Sequence, residues 1–566
     1  MQNKRKLLIA ILVNLTIFVT VNIMCNMKYE QVDDFIIYNL YSGLDGTYNI
    51  HGVYIHPAIC FILGLFFRVI PTVNWHSIFL LSIQFICFTS IGYIILKKSN
   101  DIRVMNLYII CDSIFYSTLL IMIQYTSVAA LALLTSFLLL IDMIEQKENK
   151  STKYKFVMFM LFAIGIMIRI QTIFIIIPFM AAYILVYILK YIKNRVDKDK
   201  LIIIIKYYLI MFLTLVIIYT SSLIMYRTNH VYKEYTEYNN VRTILHDIVY
   251  VDYDENKEIF DEIGWSKNDH HMFYSFNFGD ENIYSKEKLE KILKYVIEKN
   301  GVHNVKFDII KLGKSLISEQ ISIIPMIFLT FIIIFIISIS NKNTKVFKFL
   351  VLCVTISVHL IFIAIDRSLL RVIVPEYILG TFLLLYDLEL KDGSIKSLKV
   401  NNIAITILMV ALLTYISGQT YGYDYKLKDY QSTRDVIEYT NKNKQNVYLY
   451  TVPSLQSRYL AYDVYQMPPT HSFSNLRVIG GWDIYTKNYM DFKTRYNLDG
   501  TLLDLLNDNV YLIDGSVVWS GIKYNNYKKS ILIALKEHYN VDVQCKEIEK
   551  FDNLKIYKLY ISNKTD

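Results

Sequence analysis

Residues 4–34 read KRKLLIAILVNLTIFVTVNIMCNMKYEQVDD, and this stretch decides the fold class. Lys4, Arg5 and Lys6 precede an uncharged run to Met24, long enough as a helix to cross a hydrocarbon core of roughly 30 Å. No small-residue cleavage site follows, so the segment is expected to remain as an anchor. Basic residues ahead of a span hold that end in the cytoplasm. The adjacent carboxylates Asp33 and Asp34 then fall at the outer membrane face, just past the helix. Such a pair at the lipid boundary, followed by Ser42-Gly43 and by His56-Pro57 opening another apolar run, is poorly explained by packing and reads as an active-site loop.

The rest of the chain agrees with a membrane setting. Its 566 residues are 54% hydrophobic with a mean hydropathy of +0.33, too apolar for a soluble protein with a polar surface. Hydropathy places spans near 7–24, 77–96, 104–122, 126–142, 154–168, 172–192, 201–225, 319–340, 348–365, 370–387 and 401–418, about eleven in all. The apolar segment 57–70 would reach only about 21 Å as a helix, and is expected to be re-entrant or interfacial. Basic residues test that reading, because cytoplasmic loops collect them. With 57–70 not crossing, Lys97, Lys98 and Arg103, then Lys147, Lys150, Lys153 and Lys155, then Lys190, Lys193, Arg195, Lys198 and Lys200 all face inward, as do Lys342, Lys345, Lys348, Lys391, Lys396 and Lys399. The loop 25–56 holds only Lys28. The net charge of +9 therefore serves orientation, and no nucleic-acid partner is expected. Cys25, Cys60, Cys87, Cys111, Cys353 and Cys545 have no metal-ligand spacing and form no disulfide framework.

The fold expected is a multi-pass α-helical membrane bundle with two parts outside it. Residues 1–225 form an N-terminal bundle with a catalytic outer loop at 25–76, and 319–419 form a second bundle. Between them, 226–318 is too long and polar for a simple connection. It contains Gly264-Trp265, Asn268-Asp269-His270-His271 and Phe276–Asp280, and a helix over Lys286–Glu298 with Ser285 as its N-cap. Residues 420–566 have the composition of a soluble, extracytoplasmic α/β domain, with strands at Val447–Tyr450 and Val510–Ile513. Gly480-Gly481-Trp482-Asp483 after the strand-like Leu476–Ile479 reads either as a structural turn around a buried Trp or as a turn that presents Trp482 and Asp483.

Asp33-Asp34, Gly43 and His56-Pro57, set after a first helix and before a many-span bundle, resemble the membrane glycosyltransferases of the C fold. That group includes the family 39-like bacterial relatives of protein O-mannosyltransferases and the aminoarabinose transferases. The likeness covers roughly residues 1–390. Many relatives carry Asp-Glu and His-Pro-Pro or Lys-Pro-Pro, where this chain has Asp-Asp and His56-Pro57-Ala58. The resemblance implies an inverting hexosyl- or pentosyltransferase of the cell membrane. It would move a sugar from a polyprenyl-phosphate carrier to a glycan, lipid or protein acceptor of the cell envelope. It also implies that Asp33, the first acidic residue, is the base and that Asp34 orients the acceptor or a cation.

The residues suit that chemistry. An acceptor hydroxyl needs a base as its bond forms, whereas a leaving phosphate needs cations more than a proton. Arg169, Arg367 and Arg371 are the candidate phosphate ligands on the outer side, since the guanidinium fork donates two parallel hydrogen bonds. The spacing of Arg367 and Arg371 would put both on one helical face. His56 joins them as a substrate-binding candidate. Asp112 falls mid-span and should face the bundle in a hydrogen bond. A divalent cation could be held by His51, His56, His270, His271, Asp269 and Asp280, although no tight ligand motif links them. The competing readings are a polysaccharide polymerase or ligase, which would not need the acidic pair, and a transporter or lipid flippase, for which Asp112 and His359 are the midplane candidates.

Overall fold

The computed structural model describes residues 2–145, 152–193, 198–300, 313–318, 325–339, 345–365, 367–386, 388, 430–515, 518–519, 522–523 and 527–562. Among them, seven helices are long and apolar enough to cross a bilayer: Asn3–Met24, Trp75–Lys98, Ile102–Ile121, Tyr125–Glu145, Ile170–Ile192, Lys198–Arg227 and Lys345–Ala364. The shorter helices Thr152–Ile168, Pro325–Ser338 and Leu370–Tyr386 fall at three further predicted spans. The eleventh, 401–418, lies outside the described residues.

The helix Tyr125–Glu145 is the axis of the bundle, buried at every residue from Tyr125 to Ile144. A helix apolar on all sides needs neighbours on all sides. Its small residues allow them to come close: a Cβ at Gly165 would lie 2.8 Å from Leu133 Cγ and 2.9 Å from the Ala129 carbonyl oxygen. Lys198–Arg227 buries only Ile204 and Met211 and forms the rim. Asp112 faces inward as expected. It accepts from the Tyr108 hydroxyl at 3.1 Å, and that hydroxyl in turn accepts from Asn14 at 3.3 Å.

Helix ends sort into two sets. At one end Lys6 reaches the Lys97 carbonyl and Asn100, Arg103 pairs with Asp101 at 2.6 Å and Lys200 approaches Glu145 at 3.9 Å. The other end carries the acidic loop and the polar parts of the chain. Both flanks of the short helix Pro57–Val69 belong to this second end. Before it, the Gly43 carbonyl meets His471 Nδ1 at 2.9 Å. After it, Met467 donates to the Thr72 carbonyl at 3.3 Å and Asn74 to that of Tyr465 at 3.0 Å. The chain thus enters and leaves this helix on one side of the bundle. Phe61, Ile62, Leu65 and Phe66 remain exposed, as suits a helix lying at the membrane surface.

The C-terminal region is built on a five-stranded sheet in the order Leu476–Val478, Val447–Tyr450, Val510–Gly515, Leu554–Ile561, Val543–Phe551. The first three strands are parallel and the last two run antiparallel. Val447-Tyr448-Leu449-Tyr450 is β-branched, aromatic and nearly all buried, the pattern of an inner parallel strand. The inserted helices His230–Thr243, Lys257–Ile263, Lys267–Tyr274 and Lys286–Asn300 dock on this region. Asp280 accepts from the Leu502 amide at 2.8 Å and the Tyr539 hydroxyl at 2.7 Å, and Lys493 pairs with Glu281 at 2.6 Å.

Candidate active site

The helix Asp33–Ser42 begins with its two carboxylates in the first turn and ends at Gly43, whose φ of 82° closes it in the left-handed region. Successive residues on a helix point about 100° apart, so the pair divides between two surroundings. Asp34 is buried in the bundle. One oxygen accepts from His76 Nε2 at 3.0 Å and from the Tyr125 amide at 3.1 Å, and Tyr41 bonds the other ring nitrogen of His76 at 2.6 Å. Burial raises the Asp34 carboxyl above its usual range, and the hydrogen bond and charge of His76 oppose that shift. Asp34 is thus held in the packing by His76 and the Tyr125 amide.

Asp33 turns the other way. It borders a cavity of about 310 Å³ between the acidic loop, the inserted helices and the sheet region. One of its oxygens accepts from the Trp482 indole at 3.3 Å. The Trp482 ring lies 5.2 Å from that of Tyr54, and Arg169 stacks on Tyr54 at 4.5 Å from the ring centroid. Arg169 also donates to the Tyr125 hydroxyl. Asp33 and Arg169 each act electrostatically on both tyrosines, which brings the carboxylate and the guanidinium to one place.

Arg371 approaches from the second bundle. Its carbonyl accepts from Ser127 at 3.2 Å, which fastens it to the axial helix near Tyr125. Among the described residues its Nη1 is buried without a hydrogen-bond partner, as is Glu30 Oε2. Glu30 is set by a two-residue parallel ladder, Lys28–Tyr29 against Met122–Ile123, and by its own amide bond to the Ile123 carbonyl at 3.0 Å. Burial lifts the Glu30 carboxyl to about 7, with Arg371 drawing it down and Asp34 and Asp33 pushing it up.

The remaining sequence candidates separate. Arg367 does not share a helical face with Arg371, because the helix starts at Leu370 and Arg367 instead closes the preceding helix through its amide bond to the Phe362 carbonyl at 2.8 Å. It acts on Asp247, which pairs with the buried Arg242 at 3.5 Å. Burial pushes the Asp247 carboxyl up, but His246, Arg242 and Arg367 together hold it below its usual range. His56 caps Pro57–Val69: Nδ1 accepts from the Ala58 amide at 3.2 Å and Nε2 meets Ser221 Oγ at 3.0 Å. Both ring nitrogens are engaged within the protein, so His56 caps this helix.

The six residues considered for a cation are dispersed. His270 bonds the Val251 carbonyl at 2.7 Å, Asp280 holds Leu502 and Tyr539, and His51 stacks on Tyr232 at 4.1 Å. Among the described residues one group has metal-ligand proximity, Asp269, Glu537 and His538, with ligand atoms within 4.8 Å of one another. Of the midplane candidates, His359 bonds Tyr377 at 3.0 Å and Ser368 at 3.3 Å, in a different helix group from Asp112. Glu376, which carries no motif, is buried beside Tyr377.

No family model matches the chain, and no curated protein matches it. Among solved structures, the chain is similar to the crystal structure of ArnT from Cupriavidus metallidurans bound to undecaprenyl phosphate. The identity is 11%, 97% of each chain is covered and the TM-score is 0.38.

Proposed function

We propose that the protein is a membrane glycosyltransferase that moves a sugar from a polyprenyl-phosphate carrier to a cell-envelope acceptor. The observation that carries this reading is the position of Asp33, with a cavity on one side and the Arg169 cluster on the other. An acceptor hydroxyl in the cavity attacks the anomeric carbon while the bond from that carbon to the phosphate oxygen breaks. The electron pair leaves with polyprenyl phosphate, and the hydroxyl proton passes to Asp33. A single displacement inverts the anomeric centre. Arg371 and Arg169 take the phosphate, Arg371 through its free Nη1. Asp34 positions Asp33 by fixing the helix that both share. The test is a purified-protein assay with a panel of polyprenyl-phosphate sugars, following release of polyprenyl phosphate. No release from any donor would remove the reading.

The orientation proposed puts the basic ends in the cytoplasm and the acidic end outside, so the N-terminus is cytoplasmic and the sheet region extracytoplasmic. Reporter fusions at residues 145 and 430 should then report cytoplasm and exterior respectively. The reverse pattern would move the site to the wrong side for an envelope acceptor.

Glu30 sets a pH dependence. Its carboxyl, raised to about 7, is neutral at pH 6 and leaves Arg371 for the carrier, whereas at pH 8 it is ionised and competes for the same guanidinium. The carrier KM is expected to rise as pH passes through about 7, and Glu30→Gln should flatten that rise. The stability term has the matching sign. A carboxyl raised by folding stabilises fully below its unfolded value, and that contribution is lost as pH climbs to about 7. A carrier KM that climbs equally in Glu30→Gln would assign the dependence to another group.

A further inference from the structure

The turn Gly480-Gly481-Trp482-Asp483 is largely buried and is held from two sides. Gly480 has a φ of 115°, and a Cβ there would lie 2.1 Å from the Phe276 carbonyl oxygen, so no other residue fits without moving the backbone. Gly481, at a φ of 81°, donates its amide to that same carbonyl at 2.9 Å. The Tyr235 hydroxyl donates to the Trp482 carbonyl at 3.1 Å, and Arg477 pairs with Asp483 at 2.8 Å. The turn is therefore fixed by the inserted helices on one side and by its own strand on the other. What it presents is one indole, whose N–H meets the carboxylate of Asp33.

Around that indole the cavity is lined by four aromatic residues, Tyr274, Phe276, Trp482 and Tyr527, and four aliphatic ones, with Gln31, Asp33 and Ser275 as its polar members. Its volume of about 310 Å³ is at the small end of ligand pockets, which run from roughly 300 to 1,000 Å³. That is room for one ring, not for a chain. Flat aromatic walls match the C–H face of a sugar ring, while a few convergent polar groups at the edge match its hydroxyls. A lipid acceptor would call for a wall continuous with the apolar helices, and this cavity is bordered by the loop, the inserted helices and the sheet region instead. An extended peptide would call for an open strand edge.

We propose that this cavity binds a carbohydrate acceptor and that Trp482 positions its ring so that one hydroxyl faces Asp33. The assignment rests on the transfer reading above and names its acceptor class. Trp482 does two things here. Its ring supports the sugar, and its N–H holds one carboxylate oxygen, which orients the group that receives the hydroxyl proton. The C-terminal region is on this view a part of the acceptor site.

The experiment uses the full-length protein in detergent micelles, with chitotriose, maltotriose, cellotriose and mannotriose as probes and saturation-transfer NMR as the readout. A threonine-rich peptide and a lysophospholipid are run beside them. At least one saccharide is expected to receive saturation at its ring C–H protons. Trp482→Ala should weaken that saccharide about tenfold and Trp482→Phe about threefold or less, since the ring is the larger contributor. Tyr527→Ala, on another wall, should weaken it about fivefold and keeps the test open should Trp482→Ala not fold. With the same saccharide as acceptor, Trp482→Ala should raise the acceptor KM about tenfold and the donor KM by less than about threefold. The proposal is overturned if no saccharide binds, if only the peptide or the lipid binds, or if both alanine variants keep the wild-type affinity. Saccharide binding that depends on Trp482, without polyprenyl phosphate release from any donor, would sink the transfer reading and leave the carbohydrate site standing.

Discussion

Asp33→Asn is expected to lower turnover by about 100- to 10,000-fold, the usual contribution of a general base, with no change in melting temperature. Asn keeps the size of Asp and can still accept from the Trp482 indole, so only the basicity is removed. Asp34→Asn makes the contrast. Its carboxylate is buried against His76 and the Tyr125 amide, and the amide replacement brings a donor into a site that already holds donors. That variant should lose about 1–3 kcal/mol of stability and a smaller part of its activity. Thermal unfolding and carrier turnover on the two proteins decide the matter. An active Asp33→Asn protein beside a stable, inactive Asp34→Asn protein would exchange the two roles.

Arg371→Ala should reduce carrier affinity by roughly 10- to 150-fold, the equivalent of losing a charge-assisted hydrogen bond worth about 1.5–3 kcal/mol. Arg371 is chosen over Arg169 because its Nη1 has no hydrogen-bond partner among the described residues, whereas Arg169 already bonds Tyr125 and stacks on Tyr54. A buried, unpaired guanidinium N–H is costly unless a ligand satisfies it. Arg371→Lys keeps the charge and loses the planar fork, so an intermediate loss is expected. Turnover against carrier concentration measures all three proteins. Unchanged kinetics in Arg371→Ala would leave the residue as an interfacial anchor.

Much of the helical bundle was legible because span length and basic-loop alternation are strong, local signals. The short helix Pro57–Val69 was singled out by its length and by the basic residues of the later loops, and its two flanks both meet the segment from Tyr465 to His471. The strands Val447–Tyr450 and Val510–Gly515 were legible from their β-branched and aromatic residues. The site was legible only where its chemistry is local. Asp33 stood out as half of a pair, but which member faced the cavity depends on the rotation of a helix that the sequence does not specify. Glu30 lay three residues away and was passed over, since its importance comes from Arg371, far along the chain. Tyr54, Tyr125 and Arg242 carry no motif. Arg367 and Arg371 have helical spacing, yet the helix begins between them, and boundaries of that kind depend on packing. For Trp482 the glycine pair marked a tight turn, and the structure buries both Trp482 and Asp483 there, the indole against Asp33 and the carboxylate against Arg477.

Trp482 and Asp33 are 449 positions apart, and the segments that clasp the acidic loop, from His471 to Asn488, come late in the chain. During synthesis the loop that carries Asp33 is completed first and waits, with its indole partner still to be made. A ribosome that stops anywhere before the sheet region leaves a protein with helices and a carboxylate but no closed cavity. The acidic loop is thus made long before the wall that completes its cavity, whose last members, Trp482 and Tyr527, come from the sheet region.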